Sequence, residues 1–236
     1  MNRYKRFLYI IIVLAPLLLL MIFSRDISNE SYYSLLITAY IIFLLFMAYM
    51  YFEKSKKGVQ EIAVIATLSS ISAIGRVIFA HIPNVQPSTF IILISGLVFG
   101  WYDGFLIGAT TAFVSNIFLG QGPWTPWQMI AWGIIGIIGG LMKRNNKKPK
   151  IEYFTIISFI CGILFGFIMN MWHVIGFLKE ISKEAILLTY LNSVYYDVLH
   201  AVGNVIFSLV FYESFYKILN RFYARTYFKK DNVKER

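Results

Sequence analysis

Apolar residues occur in eight runs along the 236-residue chain, separated by short polar segments. The runs cover residues 7–23, 32–52, 60–80, 87–100, 104–119, 126–142, 152–178 and 191–216. Most of them approach the roughly 20 apolar residues that an α-helix needs to cross a bilayer. None shows the strict alternation of a barrel strand. The pattern therefore predicts an all-α integral membrane protein with eight transmembrane helices.

The fourth and fifth runs are short for membrane spans, and the sequence Gly100-Trp-Tyr-Asp-Gly104 separates them. Two glycines this close together favour a tight turn. We expect two separate helices here. If the two runs formed one helix, the count would fall to seven and the chain ends would lie on opposite sides.

The distribution of charge predicts the orientation of these helices. Lys and Arg number 22 against 12 Asp and Glu, a net charge of +10, although only 14% of the residues are charged. With the N-terminus inside, 18 of the 22 basic residues fall in inside segments. By the positive-inside rule both termini are then cytoplasmic, in a multi-pass protein of the cell membrane. The excess of basic residues thus indicates the orientation of the helices and contact with anionic lipid. It does not indicate a nucleic-acid partner.

Polar breaks divide the chain into three parts. The N-terminal run follows Arg3, Lys5 and Arg6 as in a secretory signal, but it is long and lacks a clean cleavage site, so we expect a retained span. We predict a two-helix membrane extension over residues 1–58, a six-helix core over 59–220 and a basic cytoplasmic tail over 221–236.

Polar residues inside a bilayer are costly and are functional candidates by default. In this chain they concentrate at the predicted outer ends of the helices and in the outer loops. The candidates for ligand contacts are Arg76, Asn84, Gln86, Asn116, Trp124, Trp127, Gln128, Asn170, His173, Tyr196, Asp197 and His200. Asp197 and His200 are three residues apart and share a helix face. An Arg76–Asp197 pair would lower the cost of burying either charge.

Plainer interpretations exist for several of these residues. Outer tryptophans can form an interfacial belt, Arg76 can extend to the membrane surface, and Asp197 with His200 can be a helix-packing pair. Their concentration on one side favours an outward-opening cavity of the kind that binds small molecules.

Small residues recur at helical spacing in the third run, at Ala66, Ser69, Ser70 and Ala73. Such stripes allow helices to approach closely. They indicate either packing within the protein or docking to another membrane subunit.

Absent motifs narrow the chemistry further. The sequence has no phosphate-binding G-x-x-x-x-G-K-[ST] motif, no metal-binding Cys or His spacing and one cysteine, Cys161. We therefore expect no ATPase activity, no enzyme function, no metal site and no cofactor of the chain's own.

Residues 59 to about 220 resemble the substrate-binding S components of energy-coupling factor (ECF) vitamin transporters. Four features carry the resemblance: the small-residue helix ending in Gly75-Arg76, the loop Ile-Pro-Asn-Val-Gln-Pro at 82–87, the Ser95-Gly96-x-x-x-Gly100 turn leading into Gly104-Phe105-x-x-Gly108, and the stretch 120–128. The resemblance implies a six-helix protein with an extracellular-facing cavity for a vitamin-like small molecule. It also implies a membrane coupling subunit and two cytoplasmic ATPase subunits as partners.

In that family an Ala-x-x-x-Ala motif docks to the coupling subunit, and here Ala66-x-x-x-Ser70 and Ser69-x-x-x-Ala73 stand in its place. The resemblance favours cobalamin or a corrinoid precursor as ligand. The internal His81 has no free amine, which argues against a metal-ion substrate. Three other functions stay open: a secondary transporter coupled through Asp197 or Glu213, an intramembrane lipid enzyme using His173, Asp197 and His200, and a structural scaffold.

Overall fold

The computed structural model describes residues 30–55, 58–142, 148–178 and 182–225, which fold into seven α-helices. These are α1 (Glu30–Lys54), α2 (Val59–Ile78), α3 (Ser88–Phe99), α4 (Trp101–Leu119), α5 (Thr125–Leu141), α6 (Ile151–Phe177) and α7 (Lys183–Tyr223). A short 3-10 turn, Phe79–His81, follows α2. The predicted all-helical class is confirmed. The predicted span over 7–23 lies outside the described residues, so the count of eight stays a prediction.

Helix lengths divide the described helices into two groups. Four segments are long and apolar enough to cross a membrane: Ser34–Lys54, Val59–His81, Ile151–Phe177 and Lys183–Tyr223. Helix α3 has 12 residues, or about 18 Å at 1.5 Å per residue, which is short of the roughly 30 Å of a hydrocarbon core. All of its residues are buried. It is therefore an internal helix surrounded by protein.

Helix α7 is the longest, with 41 residues, and it begins eight residues before the predicted run. The polar residues Lys183, Glu184 and Thr189 interrupt the apolar pattern there. Ser182 nevertheless caps the helix, since its Oγ accepts a hydrogen bond from the backbone N of Ala185 at 3.1 Å. Local capping thus decided the start of the helix.

Glycines bring the three shorter helices into backbone contact. A Cβ built on Gly104 of α4 would lie 2.6 Å from the Cα of Gly96 in α3 and 2.9 Å from the carbonyl carbon of Gly136 in α5. Only glycine fits such a crossing. Small residues let apolar helices pack closely together in a lipid bilayer. The turn between α3 and α4 is a single residue, Gly100, at φ 101°. The predicted turn is present, but Trp101–Asp103 already belong to α4.

Consecutive helices alternate in direction, which gives the bundle two ends. The upper end carries residues 79–87, 120–124 and the connection from α6 to α7; the lower end carries residues 55–58, Gly100 and 148–150. Of the described basic residues, Arg76 and Lys183 lie toward the upper end. The others lie at the lower end: Lys54, Lys148, Lys150, Lys217, Arg221 and Arg225. The charge asymmetry that the sequence indicated is present in the described part of the chain.

Helix α1 lies against the core through several polar contacts, one of them from the Tyr102 hydroxyl of α4 to the carbonyl oxygen of Ala48 at 2.7 Å. Trp127 Nε1 of α5 donates to Thr38 Oγ1 at 3.3 Å, and the hydroxyls of Tyr49 and Thr110 are 2.8 Å apart. The described part of residues 1–58 is therefore packed on α4, α5 and α6.

Candidate ligand-binding site

The Arg76 side chain joins three elements at the upper end of the bundle. Its Nη1 donates to Ser115 Oγ at 2.7 Å and to Asn116 Oδ1 at 2.5 Å, both on α4. Its Nε donates to Gln86 Oε1 at 3.2 Å, in the loop before α3. The guanidinium carbon lies 5.0 Å from the ring centroid of Trp132 on α5, a cation–π distance. The charge is thus compensated by amide, hydroxyl and indole groups.

Asn116 extends this hydrogen-bond network to α5. Because its Oδ1 accepts from Arg76, its Nδ2 faces the other way and donates to Gln128 Oε1 at 2.7 Å and to Thr125 Oγ1 at 3.0 Å. Asn116 and Gln128 are buried. We call Arg76, Gln86, Ser115, Asn116 and Gln128 the Arg76 cluster. It is a set of hydrogen-bonding groups that converge from a loop and three helices.

A second set of hydrogen bonds connects Trp132 to the loop through His200. Trp132 Nε1 donates to Thr89 Oγ1 at 3.0 Å, Thr89 Oγ1 is 2.9 Å from His200 Nε2, and His200 Nδ1 is 2.9 Å from the carbonyl oxygen of Asn84. A carbonyl only accepts, so Nδ1 carries the proton. In the neutral ring Nε2 then accepts from the Thr89 hydroxyl, whose oxygen already receives the indole N–H. The bonds run in one direction from Trp132 to Asn84.

Loop 82–87 is held against α7 at its centre. Asn84 has a φ of 56°, the left-handed region that asparagine tolerates better than most residues. Its Nδ2 donates to the carbonyl oxygen of Tyr196 at 2.9 Å. A Cβ on Gly203 would lie 3.1 Å from Val85 Cγ1, so the next loop residue packs directly on the α7 backbone. These contacts form a latch between loop 82–87 and α7.

Asn170 and Asp197 form a separate polar group between α6 and α7. Asn170 Nδ2 donates to Ser193 Oγ at 2.6 Å and to Asp197 Oδ2 at 3.3 Å, and Ser193 Oγ donates to Asp197 Oδ2 at 2.7 Å. The predicted Arg76–Asp197 ion pair does not form in the structure. Asp197 faces α6, where a Cβ on Gly166 would lie 2.9 Å from its Oδ2, whereas Arg76 faces α4.

Four further predicted site residues contribute no side chain to these three hydrogen-bonded groups. Trp127 is buried against α1 through Thr38. His173 is exposed, and its ring stacks on Phe177 with centroids 5.3 Å apart. Trp124 is half-buried, edge-on to Trp172 at 6.0 Å. The side chain of Tyr196 is exposed and only its backbone carbonyl meets the loop.

Three residues that the sequence did not single out belong to the site: Thr89, Ser115 and Trp132. Trp132 is four residues after Gln128, so the helical period places both on one face of α5. That spacing was a usable signal. Ser115 precedes Asn116, but adjacency gives no reason for both to meet one arginine. Thr89 lies beside Ser88 at the start of a mostly apolar helix, and no pattern of polar residues singles it out.

The predicted docking residues of α2 face two ways. Ser69 is buried and its Oγ donates to the carbonyl oxygen of Ile107 at 3.3 Å, and Ala73 is buried as well. Ala66 and Ser70 are exposed. The stripe therefore packs α2 on α4 along one edge and leaves a small-residue surface along the other.

The residues that the secondary-transporter and lipid-enzyme hypotheses would use contact different partners. His200 contacts Thr89 and Asn84, Asp197 contacts Ser193 and Asn170, and His173 stacks on Phe177. Glu213 lies at the lower end and pairs with Lys148. The three groups of the enzyme hypothesis are thus each engaged in separate contacts.

Comparison with known proteins identifies the family. A family model described as the ECF transporter, substrate-specific component, matches residues 60–221. A UPF0397 protein of Aliivibrio salmonicida (strain LFI1238) is 29% identical over 98 residues, covering 41% of this chain and 52% of that protein. The chain thus matches about half the length of that relative. No solved structure matches the chain. Because the family model covers more than half of the sequence, the chain belongs to the substrate-specific component family of ECF transporters.

Proposed function

We propose that the protein is the substrate-capture subunit of an ECF-type importer for a vitamin or related micronutrient. It crosses the cell membrane several times with both termini in the cytoplasm, so that the upper end faces outward. One observation carries the ligand site: Arg76 bonds Gln86 in loop 82–87 and Ser115 and Asn116 in α4. A ligand at this point contacts loop 82–87 and the helices of the core together.

The ligand binds by exchanging hydrogen bonds with the Arg76 cluster. An arginine fork presents several donors in one plane and suits carboxylate, phosphate or amide oxygens. Ligand oxygens take the places of Gln86 Oε1 and Asn116 Oδ1, and the freed amides of Gln86, Asn116 and Gln128 become available to the ligand. Loop 82–87 closes above it through the Asn84 latch.

Among ligands, cobalamin or a corrinoid precursor is the first candidate. The Trp124–Trp172 pair at the upper end supports an aromatic wall for a large ligand. Trp127 does not add to this wall because it is buried against α1. The protein requires no cofactor of its own in this proposal.

The outer edge of α2 is the proposed docking surface for the membrane coupling subunit. Ala66 and Ser70 are exposed on it, as are Ala63 and Thr67. Close helix approach needs such small side chains. Two cytoplasmic ATPase subunits, joined through the coupling subunit, supply the energy that this chain has no motif to obtain.

Native mass spectrometry of the purified protein, followed by titration with a panel of vitamins and corrinoids, tests the ligand. We expect one ligand to bind at a one-to-one ratio, and Arg76→Gln to weaken it while Lys183→Gln, an exposed upper-end change, does not. The absence of binding across the panel would contradict the proposal. Uptake into liposomes without ATPase subunits would favour the secondary transporter.

A further inference from the structure

A groove of about 530 Å³ lies at the lower end of the bundle, between the start of α6 and the last turns of α7. It is lined by Lys148, Glu213, Tyr216, Lys217, Asn220 and Arg221. These α7 residues follow His200 by 13 to 21 positions, or about 20–30 Å along the helix axis. The groove is thus separated from His200 by about the thickness of a hydrocarbon core.

Positive charge dominates the groove. Three cations face one carboxylate, Glu213, which pairs with Lys148. The Lys148 Nζ also lies 5.1 and 5.2 Å from the ring centroids of Tyr212 and Tyr216, which hold it in place. Lys217 and Arg221 are one helical turn apart, and within the described part of the chain neither forms an ion pair. Two cations are therefore available to an anion.

An apolar surface continues from the groove along α7 toward the middle of the bundle. Ile206, Leu209 and Val210 lie about two to three turns before Lys217 on the same side of the helix, and 55%, 58% and 61% of their surfaces are exposed. Helical spacing places them in line with the groove cations. The combined surface has a cationic end and a lipid-facing apolar track.

We propose that this groove binds the phosphate of an anionic phospholipid, with Lys217 and Arg221 on the phosphate and the acyl chains along Ile206, Leu209 and Val210. Basic groups at the membrane surface are attracted to anionic headgroups. The apolar track favours a lipid over free inorganic phosphate. Both could bind Lys217 and Arg221 through their negative charge, but only a lipid has acyl chains that can contact the track. This site does not depend on which ligand the Arg76 cluster binds.

Lipid exchange followed by native mass spectrometry tests the proposal on the full-length protein. The probes are dioleoyl phosphatidylglycerol, dioleoyl phosphatidylcholine and inorganic phosphate. We expect one phosphatidylglycerol to be retained, with the affinity falling about 30-fold in Lys217→Gln/Arg221→Gln. The control Lys54→Gln/Lys150→Gln removes the same charge at the same end, outside the groove, and we expect it to retain the lipid. Circular dichroism checks that all variants stay helical.

Three results would overturn the proposal. One is equal retention of phosphatidylcholine and phosphatidylglycerol, and a second is an equal loss of lipid in the groove and control variants. The third is inorganic phosphate displacing phosphatidylglycerol at matched concentration, which would assign the groove to free phosphate. The neutral substitution Val210→Asn on the apolar track separates the two sources further, since only lipid binding should weaken.

Discussion

The Nδ1 atom of His200 donates to the carbonyl oxygen of Asn84 across 2.9 Å, so that a buried side chain of α7 holds the backbone of loop 82–87 at the upper end. Its other nitrogen meets Thr89 at the start of α3. His200 therefore positions loop 82–87 relative to the core. In the proposed function the loop covers the ligand, and the strength of this contact affects how long the ligand stays bound.

The first prediction separates the side chain of Asn84 from its backbone conformation. Asn84→Gly removes the bond to Tyr196 but accepts the φ of 56°, whereas Asn84→Ala loses the bond and is also strained. We expect ligand dissociation to accelerate about 2- to 10-fold in the glycine variant. The alanine variant should add about 1 kcal/mol of strain. Stopped-flow dissociation measures both, and a glycine variant that releases the ligand at the wild-type rate would refute the latch.

The second prediction concerns the hydrogen bonds between His200 and Thr89. His200→Ala leaves the Thr89 hydroxyl and the Asn84 carbonyl short of a partner, which costs about 1–3 kcal/mol each when they stay buried. Thr89→Val breaks the same contact with little change of shape. Thermal unfolding of the single and double variants should show non-additive losses, with a coupling of about 0.5–3 kcal/mol. Additive losses would show that the two residues act independently.

The third prediction is that ligand binding depends on the planar guanidinium group of Arg76 as well as on its positive charge. Arg76→Lys keeps the charge but cannot bond Gln86, Ser115 and Asn116 together. We expect isothermal titration to show ligand affinity falling about 10-fold or more in Arg76→Lys, and further in Arg76→Gln, since a charged hydrogen bond contributes about 1.5–3 kcal/mol. An Arg76→Lys variant with unchanged affinity would mean that charge alone suffices.

The fourth prediction distinguishes Trp124 from Trp127. Trp127→Phe removes the bond to Thr38 on α1, so it should lower stability by about 1 kcal/mol and leave ligand affinity unchanged. Trp124→Ala should weaken the ligand, because Trp124 lies at the upper end beside Trp172. Paired unfolding and titration experiments decide this. A large loss of affinity in Trp127→Phe would place the ligand closer to α1 than we propose.

The fifth prediction tests the glycine contacts among the shorter helices. Gly136→Ala places a methyl group against the backbone of Gly104 and should destabilise the fold by about 1–3 kcal/mol or prevent folding. Gly176→Ala is the matched control, because its nearest neighbour, Ser34 Oγ, would be 3.6 Å away. Detergent-solubilised yield and thermal unfolding report the difference. Equal behaviour of the two variants would contradict the close crossing.

Four members of the Arg76 cluster were among the residues that the sequence indicated: Arg76, Gln86, Asn116 and Gln128. Each stands out because a polar group at the end of an apolar run is costly without a purpose. The partner of Arg76 was predicted wrongly, since opposite charge suggested Asp197. Amide and hydroxyl groups compensate the arginine in the folded chain, and the carboxylate is compensated by Ser193 and Asn170. Charge alone does not say which faces of two helices meet.

The sequence by itself determined the helices, the Gly100 turn, the uneven distribution of basic residues and the end of the bundle where polar residues concentrate. These follow from local composition and from the helical period. Only the tertiary structure decided that α3 is internal, that Trp127 faces α1, that Ser69 and Ala73 face α4 while Ala66 and Ser70 face outward, and that His200 holds Asn84. The period shows which residues share a helix face, but the neighbour of each face depends on how helices distant in sequence pack together.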